Sequence, residues 1–322
     1  MRLLSIVVPV YNEEDNVHRL YEALLPVMRG LQERYRFELI FTDNHSTDRT
    51  FPILRSLAES DPRVRVFRFS RNFGFQKSIF TGYLKARGDA VIQVDCDLQD
   101  PPSLIPEFVE KWEQGFQVVY GVRRKRQEGW LVTTLRKTFY RLLNFLSEDT
   151  LPPDAGDFRL IDRRIVEELR LIDDQQPYLR GAIATLGFNQ VGIPYDRAAR
   201  EHGESKFGVG DLVRLAVDGI ANHSTLPLRL ASMVGFVTTI LTMLAAVFYI
   251  VGRFRGGDWP AGFATVTVLI LFSTSLNAIF FGVIGEYLSR IYQQVKRRPL
   301  TVIEYAIDAQ ERTEGQDELR AR

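Results

Sequence analysis

The sequence predicts an α/β protein whose mostly parallel sheet is followed by two membrane-spanning helices. Short runs rich in Val, Ile and Phe alternate with amphipathic stretches over residues 1–225. Polar side chains follow several of these runs, and two long segments nearer the C-terminus carry no charge. Alternating strands and helices predict a parallel sheet with helical crossovers, and long uncharged segments predict membrane spans.

Five segments have the composition of strands, and four segments between them have the apolar periodicity of helices. The predicted strands are Leu3–Val10, Phe37–Thr42, Val64–Phe69, Ala90–Asp95 and Gln117–Gly121. The predicted helices are Asn16–Gln32, Arg49–Glu59, Phe75–Arg87 and Ser103–Gln114. Ligands of such folds bind beyond the carboxyl ends of the strands, so the polar residues placed there are candidate site residues. They are Tyr11, Asn12, Glu13, Asp43, Asp95 and Asp97.

The composition limits the classes of function. Of the 322 residues, 45% are hydrophobic and 25% are charged, which is typical of a folded protein. The 41 Lys and Arg residues nearly balance the 40 Asp and Glu residues, so the net charge of +1 does not indicate a nucleic-acid partner. A single cysteine, Cys96, excludes an internal disulfide and fits a reducing cytoplasm.

Two uncharged segments, Leu230–Val251 and Ala261–Gly285, predict a hairpin of transmembrane helices. As helices they would be roughly 33 and 37 Å long, against a hydrocarbon core of about 30 Å. A pair of buried core helices is the alternative, but core helices of soluble proteins seldom lack charge on every face. Basic residues flank the hairpin and place both of its ends in the cytoplasm. They are Arg229, Arg290, Lys296, Arg297 and Arg298.

These features divide the chain into three predicted parts. Residues 1–225 form a cytosolic α/β domain with juxtamembrane amphipathic helices. Residues 226–298 contain the two transmembrane helices, at 230–251 and 261–285. Residues 299–322 form a cytosolic tail, which is expected to be disordered from about Ala306 because its composition is polar.

An acidic motif follows the fourth predicted strand, where Asp95 and Asp97 stand in the run Asp-Cys-Asp-Leu-Gln-Asp. Two carboxylates beyond a strand end provide a hard-oxygen site for Mg²⁺ or Mn²⁺, which bind through a few carboxylates and substrate phosphates. A solvated acidic turn is the alternative, because aspartate is common in loops. The sequence has no P-loop and no Gly-x-Gly-x-x-Gly motif, which weakens the hypotheses of an NTPase or a dehydrogenase.

Positive charge is concentrated in the segment Gly121–Arg141, which has seven basic residues and one acidic residue. Arg123 and Arg126 are its candidate ligands for an acceptor phosphate or a diphosphate. Apolar residues from Trp130 to Phe145 recur near helical spacing, which predicts a helix lying in the membrane interface. A surface helix that packs on the sheet is the alternative, and the two downstream spans favour the membrane.

Four ordered motifs resemble those of family 2 inverting glycosyltransferases, which have the GT-A nucleotide-sugar-binding fold. They are Val7 to Glu14, Asp43 with Ser46 to Thr50, Arg71 to Gly74, and Asp95 to Pro102. The runs Gly156 to Leu160 and Gly203 to Phe207, with the two uncharged segments, narrow the resemblance to polyprenyl-phosphate glycosyltransferases. Within that group, the chain resembles the bactoprenol glucosyltransferase branch, which is related to dolichyl-phosphate mannose synthase. None of the three tryptophans follows an arginine, so the Gln-x-x-Arg-Trp motif of processive members is absent and transfer of a single sugar is favoured.

The resemblance implies roles for the matching residues of the donor site. The residues that would border the nucleotide or its sugar are Pro9, Tyr11, Glu13, Asp43 and Asp95, with Asp43 reading the base. Asp97 would ligate the metal, with Asp95 and Gln99 near it. The family often has Asp-Asp-Gly-Ser where this chain has Asp43-Asn44-His45-Ser46, and His45 is expected to be a solvated turn residue.

The resemblance also implies roles on the acceptor side. Asp157 matches the family position assigned as catalytic base, while Ser205 and Lys206 would meet the acceptor phosphate. A phosphomonoester is largely anionic at neutral pH and needs little deprotonation, so an orienting role for Asp157 stays open.

The expected reaction is inverting, metal-dependent transfer of one hexose to undecaprenyl phosphate at the cytoplasmic membrane face, with UDP-glucose as the favoured donor. UDP-N-acetylhexosamine, UDP-4-formamido-arabinose and GDP-mannose are the alternative donors. A non-catalytic membrane scaffold that binds a nucleotide sugar is the alternative from another class, and the joint presence of Asp95, Asp97 and Asp157 argues against it. We expect a multi-pass, homo-oligomeric protein of the inner (cytoplasmic) membrane.

Overall fold

The computed structural model describes residues 1–123, 155–172, 174, 177–196, 262–296 and 298–308, together with separate residues between 228 and 251. The strands are β1 (Arg2–Val10), β2 (Tyr35–Asp43), β3 (Val64–Phe69), β4 (Ala90–Gln93), β5 (Val118–Arg123), β6 (Ala155–Asp162), β7 (Gln190–Tyr195) and β8 (Ile303–Ile307). The helices are α1 (Val17–Leu31), α2 (Thr50–Ser60), α3 (Phe75–Lys85), α4 (Ile105–Glu113), α5 (Arg163–Leu171), α6 (Leu179–Thr185) and α7 (Phe263–Val295).

The eight strands form one sheet in the order β7-β5-β6-β4-β1-β2-β3-β8. β1 pairs in parallel with β2 and β4, β2 with β3, and β5 with β7. β6 is antiparallel to both β4 and β5, and β8 is antiparallel to β3 at the edge. The predicted α/β class with a mostly parallel sheet is therefore confirmed. The sequence does not predict β6, β7 or β8.

β1 occupies the centre of the sheet because it is apolar on both faces, and all seven residues from Leu4 to Val10 are buried. Leu4 and Ile6 belong to the core that the sheet forms with α1, α2 and α4. Val7 belongs to the opposite core, which contains residues of α3, α5 and α6. A parallel strand with two apolar faces requires helices on both sides of the sheet, which is the arrangement found.

Asp308, directly after β8, is buried and accepts hydrogen bonds from two arginines. Arg65 Nε lies 2.9 Å and Arg87 Nη2 2.8 Å from Asp308 Oδ2. Arg65 also donates to Glu38 Oε2 at 2.7 Å. In contrast to the disorder expected from about Ala306, residues 306–308 are thus held against the sheet, while residues 309–322 lie outside the described residues.

The residues described from 228 to 251 and α7 belong to a second compact unit. Those between 228 and 251 are helical. Counting only the residues that the structure describes, no helix combines the length and the apolar character that crossing a membrane requires. Part of the first predicted span and all of residues 252–260, which connect the two predicted spans, lie outside the described residues.

Candidate functional site

The loops that follow β1 and β2 are bound to each other at the carboxyl edge of the sheet. The backbone N–H of Asn12 donates to the Ser46 hydroxyl at 3.0 Å, and Asn12 Oδ1 accepts from the Thr47 N–H at 2.8 Å. The backbone N–H of Glu13 donates to Thr50 Oγ1 at 2.8 Å. These hydrogen bonds fix the position of the two loops that carry the predicted nucleotide residues.

The predicted nucleotide residues of β1 and of the loop after it differ in their accessibility. Pro9 lies within the strand and is buried, whereas Tyr11 is 46% exposed and Glu13 is half-buried. Tyr11 and Glu13 are therefore accessible to a ligand at the edge of the sheet, while Pro9 can act only by shaping the backbone beneath it.

Asp43, the last residue of β2, is fully buried, and both of its carboxylate oxygens accept hydrogen bonds. The backbone N–H of Ser46 lies 2.9 Å from Oδ1, and Arg68 Nη1 lies 3.3 Å from Oδ2. Each oxygen has a second lone pair, so the carboxylate retains the capacity to accept a further hydrogen bond. Arg68 is a partner of Asp43 that the sequence does not predict.

The acidic motif turns directly after β4, which ends at Gln93, two residues earlier than predicted. Gln93 Nε2 donates to Asp95 Oδ1 at 2.7 Å, and the Gln99 N–H donates to Asp97 Oδ1 at 3.2 Å. Leu98 between them takes a left-handed φ of 57°. This tight turn leaves Asp95 and Asp97 half-buried, and Gln99 is buried.

The charge of Asp95 is disfavoured in this setting. Burial, and then the charges of Asp100, Asp157 and Asp97, raise the pKa of Asp95 to about 7. The charges have this effect because carboxylates from the loop after β4 and from β6 are close together. A bound divalent cation would remove the repulsion, since an opposite charge favours the ionised carboxylate.

Asp95, Asp97 and Gln99 provide side-chain oxygens that fit Mg²⁺ or Mn²⁺. Within the part of the chain that the structure describes, no group of three or more His, Cys, Asp or Glu side chains is placed to hold a metal ion. Mg²⁺ sites commonly use one or two carboxylates and complete the coordination with substrate phosphates and water, so a third carboxylate is not required. The residues present therefore fit a cation that binds together with a diphosphate.

Asp157 lies on β6 beside the acidic loop and is bound by Arg180 of α6. Gln93 of β4 is in register with Arg159 of β6, so Asp157 lies level with the point where the chain has passed from β4 to Asp95. Arg180 Nε donates to Asp157 Oδ1 at 2.9 Å, and Nη2 donates to Oδ2 at 2.7 Å. Burial alone would raise the pKa of Asp157, but the hydrogen bonds and charge of Arg180 and the charge of Arg159 lower it. Asp157 is therefore a carboxylate at neutral pH.

Asp100 joins the acidic loop to β5 and β7. Tyr195 donates its hydroxyl hydrogen to Asp100 Oδ1, and Arg123 Nη2 lies 3.4 Å from Oδ2. A Cβ atom added to Gly156 would lie 3.4 Å from Arg123 Nη2, so glycine at this position gives the guanidinium room beside β6. Arg123, a predicted phosphate ligand, is thus held next to the strand of Asp157 by a buried aspartate.

His45 occupies the predicted turn, but it is half-buried rather than solvated. Its φ is 65°, the left-handed region in which the glycine common in the family is favoured. Its Nδ1 lies 3.0 Å from the Phe69 carbonyl oxygen and 3.7 Å from Glu304 Oε2, because β8 covers this side of the turn. A cavity of about 930 Å³ opens here and is lined by His45, Arg68, Phe51, Glu304 and Tyr305 among other residues.

The structure brings together Asp95, Asp97, Asp157 and Arg123 among the predicted site residues. Arg126, Ser205, Lys206 and the predicted interfacial helix lie outside the described residues. Besides Arg68, three further contributors among the described residues were not predicted: Asp100, Tyr195 and Arg180. The sequence could have indicated Asp100 through its place in the acidic motif, whereas Tyr195 and Arg180 lie in segments that contain no recognised motif.

Residues 5–170, more than half of the chain, match the family described as Glycosyl transferase family 2. A Bacillus subtilis (strain 168) protein named uncharacterized glycosyltransferase YkcC is 40% identical over 301 residues, which cover 93% of each chain. The SfII prophage-derived bactoprenol glucosyl transferase of Shigella flexneri is 37% identical over 303 residues, which cover 93% of this chain and 97% of that protein.

Among solved structures, the mannosyltransferase PcManGT from Pyrobaculum calidifontis, in complex with GDP-Man and Mn²⁺, is 18% identical with a TM-score of 0.47. That similarity covers 88% of this chain and 86% of the mannosyltransferase. The family match and the two relatives are sufficient to show which family the chain belongs to, without the solved structure. This chain therefore belongs to glycosyl transferase family 2 and is a glycosyltransferase.

Proposed function

We propose that this glycosyltransferase transfers one glucose from UDP-glucose to undecaprenyl phosphate, with inversion at the anomeric carbon. The observation that carries the proposal is the convergence of Asp95, Asp97 and Asp157 at one edge of the sheet of a family 2 chain. The name of the Shigella flexneri relative, a bactoprenol glucosyl transferase, supports glucose as the sugar and a polyprenyl phosphate as the acceptor.

The donor binds, in this proposal, at the carboxyl ends of β1, β2 and β4, in the manner of the GT-A fold. Tyr11 and Glu13 contact the nucleotide from the exposed rim. Asp43, which is fully buried and must first be uncovered, accepts a hydrogen bond from the base. Asp95 and Asp97, assisted by Gln99, hold Mg²⁺ or Mn²⁺. When bound, this cation supplies the positive charge that stabilises the leaving diphosphate.

The acceptor phosphate approaches on the side of β5 and β6. Arg123 lies beside Gly156 and provides positive charge at that place, and Arg126, Ser205 and Lys206 are proposed to add further contacts. A phosphomonoester has a second pKa near 6, so the attacking oxygen is largely anionic at neutral pH. Asp157 then has little need to remove a proton and instead orients the reacting groups.

We further propose that the chain is a multi-pass protein of the inner membrane, with its α/β domain in the cytoplasm and with contacts between copies. The uncharged segments Leu230–Val251 and Ala261–Gly285 support membrane insertion. The large apolar side chains that α7 leaves exposed support it as well, because such surfaces favour a membrane or a partner. They include Leu269, Ile270, Phe272, Ile279 and Phe281, which are between 58% and 71% exposed.

The proposal is tested by measuring UDP release from purified full-length protein supplied with UDP-glucose. Release should require both undecaprenyl phosphate and a divalent cation, and EDTA should stop it. Binding of UDP-glucose without acceptor-dependent release would indicate a non-catalytic scaffold and reject the proposal. A parallel series with UDP-N-acetylhexosamine, UDP-4-formamido-arabinose and GDP-mannose tests the choice of glucose, with release of GDP measured for the last donor. Glucose is rejected if another donor is turned over faster.

A further inference from the structure

Arg180 donates two parallel hydrogen bonds to Asp157, at 2.9 Å from Nε to Oδ1 and 2.7 Å from Nη2 to Oδ2. A two-pronged contact between guanidinium and carboxylate fixes the plane of the carboxylate as well as its position. Asp157 is 8% exposed, so few other orientations are open to it. The side chain of Arg180 is 33% exposed, and so it contacts solvent on its other side.

Gln76 of α3 supports the contact between Arg180 and Asp157. Its Oε1 accepts a hydrogen bond from the backbone N–H of Leu179, the first residue of α6, at 3.3 Å. Its side chain also helps to lower the pKa of Asp157. Gln76 therefore holds the start of the helix that carries Arg180 and favours the ionised form of Asp157.

The charges around Asp157 favour its ionised form. Arg180 from α6 and Arg159 from the same strand are cationic, whereas Tyr83 of α3 is neutral and Asp95 of the acidic loop is an acid that opposes the charge. Burial also opposes the charge, so the arginines must outweigh both effects, and they hold the pKa of Asp157 below its usual value.

A lone carboxylate at this place would repel an acceptor phosphate, but Arg180 and Arg159 balance the charge of Asp157. A negative oxygen held close to the sugar would still stabilise positive charge that develops at the anomeric carbon. The arrangement thus suits a fixed anion better than a group that must take up a proton.

We propose that Arg180 is a positioning residue for sugar transfer: it holds Asp157 as an oriented anion, and Asp157 acts through that charge. This inference rests on the proposed transfer reaction. Arg180 is the largest of the causes that lower the pKa of Asp157, so removing Arg180 raises that pKa. The carboxylate is then protonated at a higher pH than in the wild type, and activity is lost earlier as the pH falls.

The test compares Arg180→Gln and Arg180→Lys with Arg170→Gln, a control at an exposed arginine of α5 that is outside the site. Full-length proteins are assayed with UDP-glucose and undecaprenyl phosphate, and kcat, both KM values and the pH profile are measured. Arg180→Gln should lower kcat by roughly ten- to a hundredfold, the effect of losing a charge-assisted hydrogen bond, with little change in the KM for UDP-glucose. Its acid limb should move to higher pH.

Arg180→Lys should keep the acid limb near that of the wild type and recover only part of kcat, since an ammonium provides charge but not the planar fork. Arg170→Gln should resemble the wild type. If Arg180→Gln has the wild-type kcat and pH profile, the inference is wrong. A higher KM for undecaprenyl phosphate, with kcat and the acid limb unchanged, would make Arg180 a phosphate ligand and would equally overturn it.

The experiment distinguishes a failure of this inference from a failure of the proposed function. A wild-type protein without acceptor-dependent transfer rejects the proposed function itself. If Arg180→Gln fails to fold, Arg180→Lys decides the question, because wild-type kcat in that variant would show that the two-pronged contact is not needed.

Discussion

Arg65 and Asp308 lie 243 residues apart in the sequence and share a buried hydrogen bond, with 2.9 Å between Arg65 Nε and Asp308 Oδ2. Their side chains are 6% and 1% exposed. The contact joins β3 to the residue that follows β8, so the chain after α7 is part of the sheet that carries the site. It also brings Glu304 and Tyr305 next to Arg68, the partner of Asp43.

We expect Asp308→Ala to lower the free energy of unfolding of the sheet unit by about 3 kcal/mol, because it removes one partner of a buried ion pair. Arg65 keeps its hydrogen bond to Glu38 in this variant. The loss of stability should therefore lie at the low end of the range for breaking a buried ion pair. Chemical denaturation followed by tryptophan fluorescence measures it. Glu59→Ala, which removes an exposed partner of Arg55, should cost less than about 1 kcal/mol. Equal losses in the two variants would contradict the anchoring role.

Asp61 predicts a dependence of stability on acid pH. Arg63 Nη2 lies 2.7 Å and the Tyr21 hydroxyl 2.8 Å from Asp61 Oδ2. Burial alone would raise the pKa of Asp61, but these hydrogen bonds and the charge of Arg63 lower it below its ordinary value. A group with a lowered folded-state pKa stabilises the fold above its unfolded-state pKa, and that stabilisation is lost as the pH falls through the folded-state value.

The unfolding midpoint should therefore fall with pH below about 4, and it should fall less steeply in Asp61→Asn. Thermal unfolding of both proteins over a series of acid pH values measures the difference. Parallel curves would show that Asp61 does not contribute to the acid sensitivity.

Arg123 and Arg126 are predicted to respond differently to substitution by alanine, although both belong to the same basic stretch. Arg123→Ala removes a partner of the fully buried Asp100 and should cost about 1.5 to 3 kcal/mol of stability as well as raise the KM for undecaprenyl phosphate. Arg126→Ala should raise that KM alone. Thermal unfolding and acceptor titrations of the two variants distinguish these effects. Equal stability in both would argue against the Asp100 contact.

Lys206→Ala tests the motif that lies outside the described residues. If Lys206 contacts the acceptor phosphate, acceptor-dependent kcat/KM should fall by roughly ten- to a hundredfold, the effect of one charge-assisted contact. Binding of UDP, measured by calorimetry, should stay the same. Lys111→Ala, at a half-buried residue of α4 whose side chain donates to Gln114, is the matched control. Wild-type kinetics for Lys206→Ala would reject the assignment.

Strands inside the sheet could be predicted from the sequence because they are buried on both faces. β1 and β3 agree with the predicted Leu3–Val10 and Val64–Phe69 to within one residue, since continuous apolar runs are typical of such strands. β6 contains Asp157, Arg159 and Asp162, and its polar residues conceal it in a sequence read for apolar runs. β8 lies at the edge and follows a long helix, so no local pattern indicates that it returns to the sheet.

The candidate site was predictable only where its residues are adjacent in the sequence. Asp95 and Asp97 form a motif after a recognisable strand, and Asp157 is indicated by the family resemblance. Arg180 lies 23 residues beyond Asp157, and Tyr195 lies 95 residues beyond Asp100. Neither contact follows from spacing in the sequence, because one depends on how α6 packs on the sheet and the other on where β7 pairs within it.

The most direct test of the proposed function follows radiolabelled glucose from UDP-glucose into lipid, with purified full-length protein and undecaprenyl phosphate. We expect one labelled glycolipid that forms with Mg²⁺ or Mn²⁺, disappears with EDTA and returns when the cation is restored. Asp97→Asn should fold and yet form no product, because it loses a metal-ligating charge at nearly constant volume, while Glu107→Gln, at an exposed residue of α4, should match the wild type. A wild-type protein that labels no lipid, or undiminished labelling by Asp97→Asn or in EDTA, would contradict the proposed metal-dependent transfer.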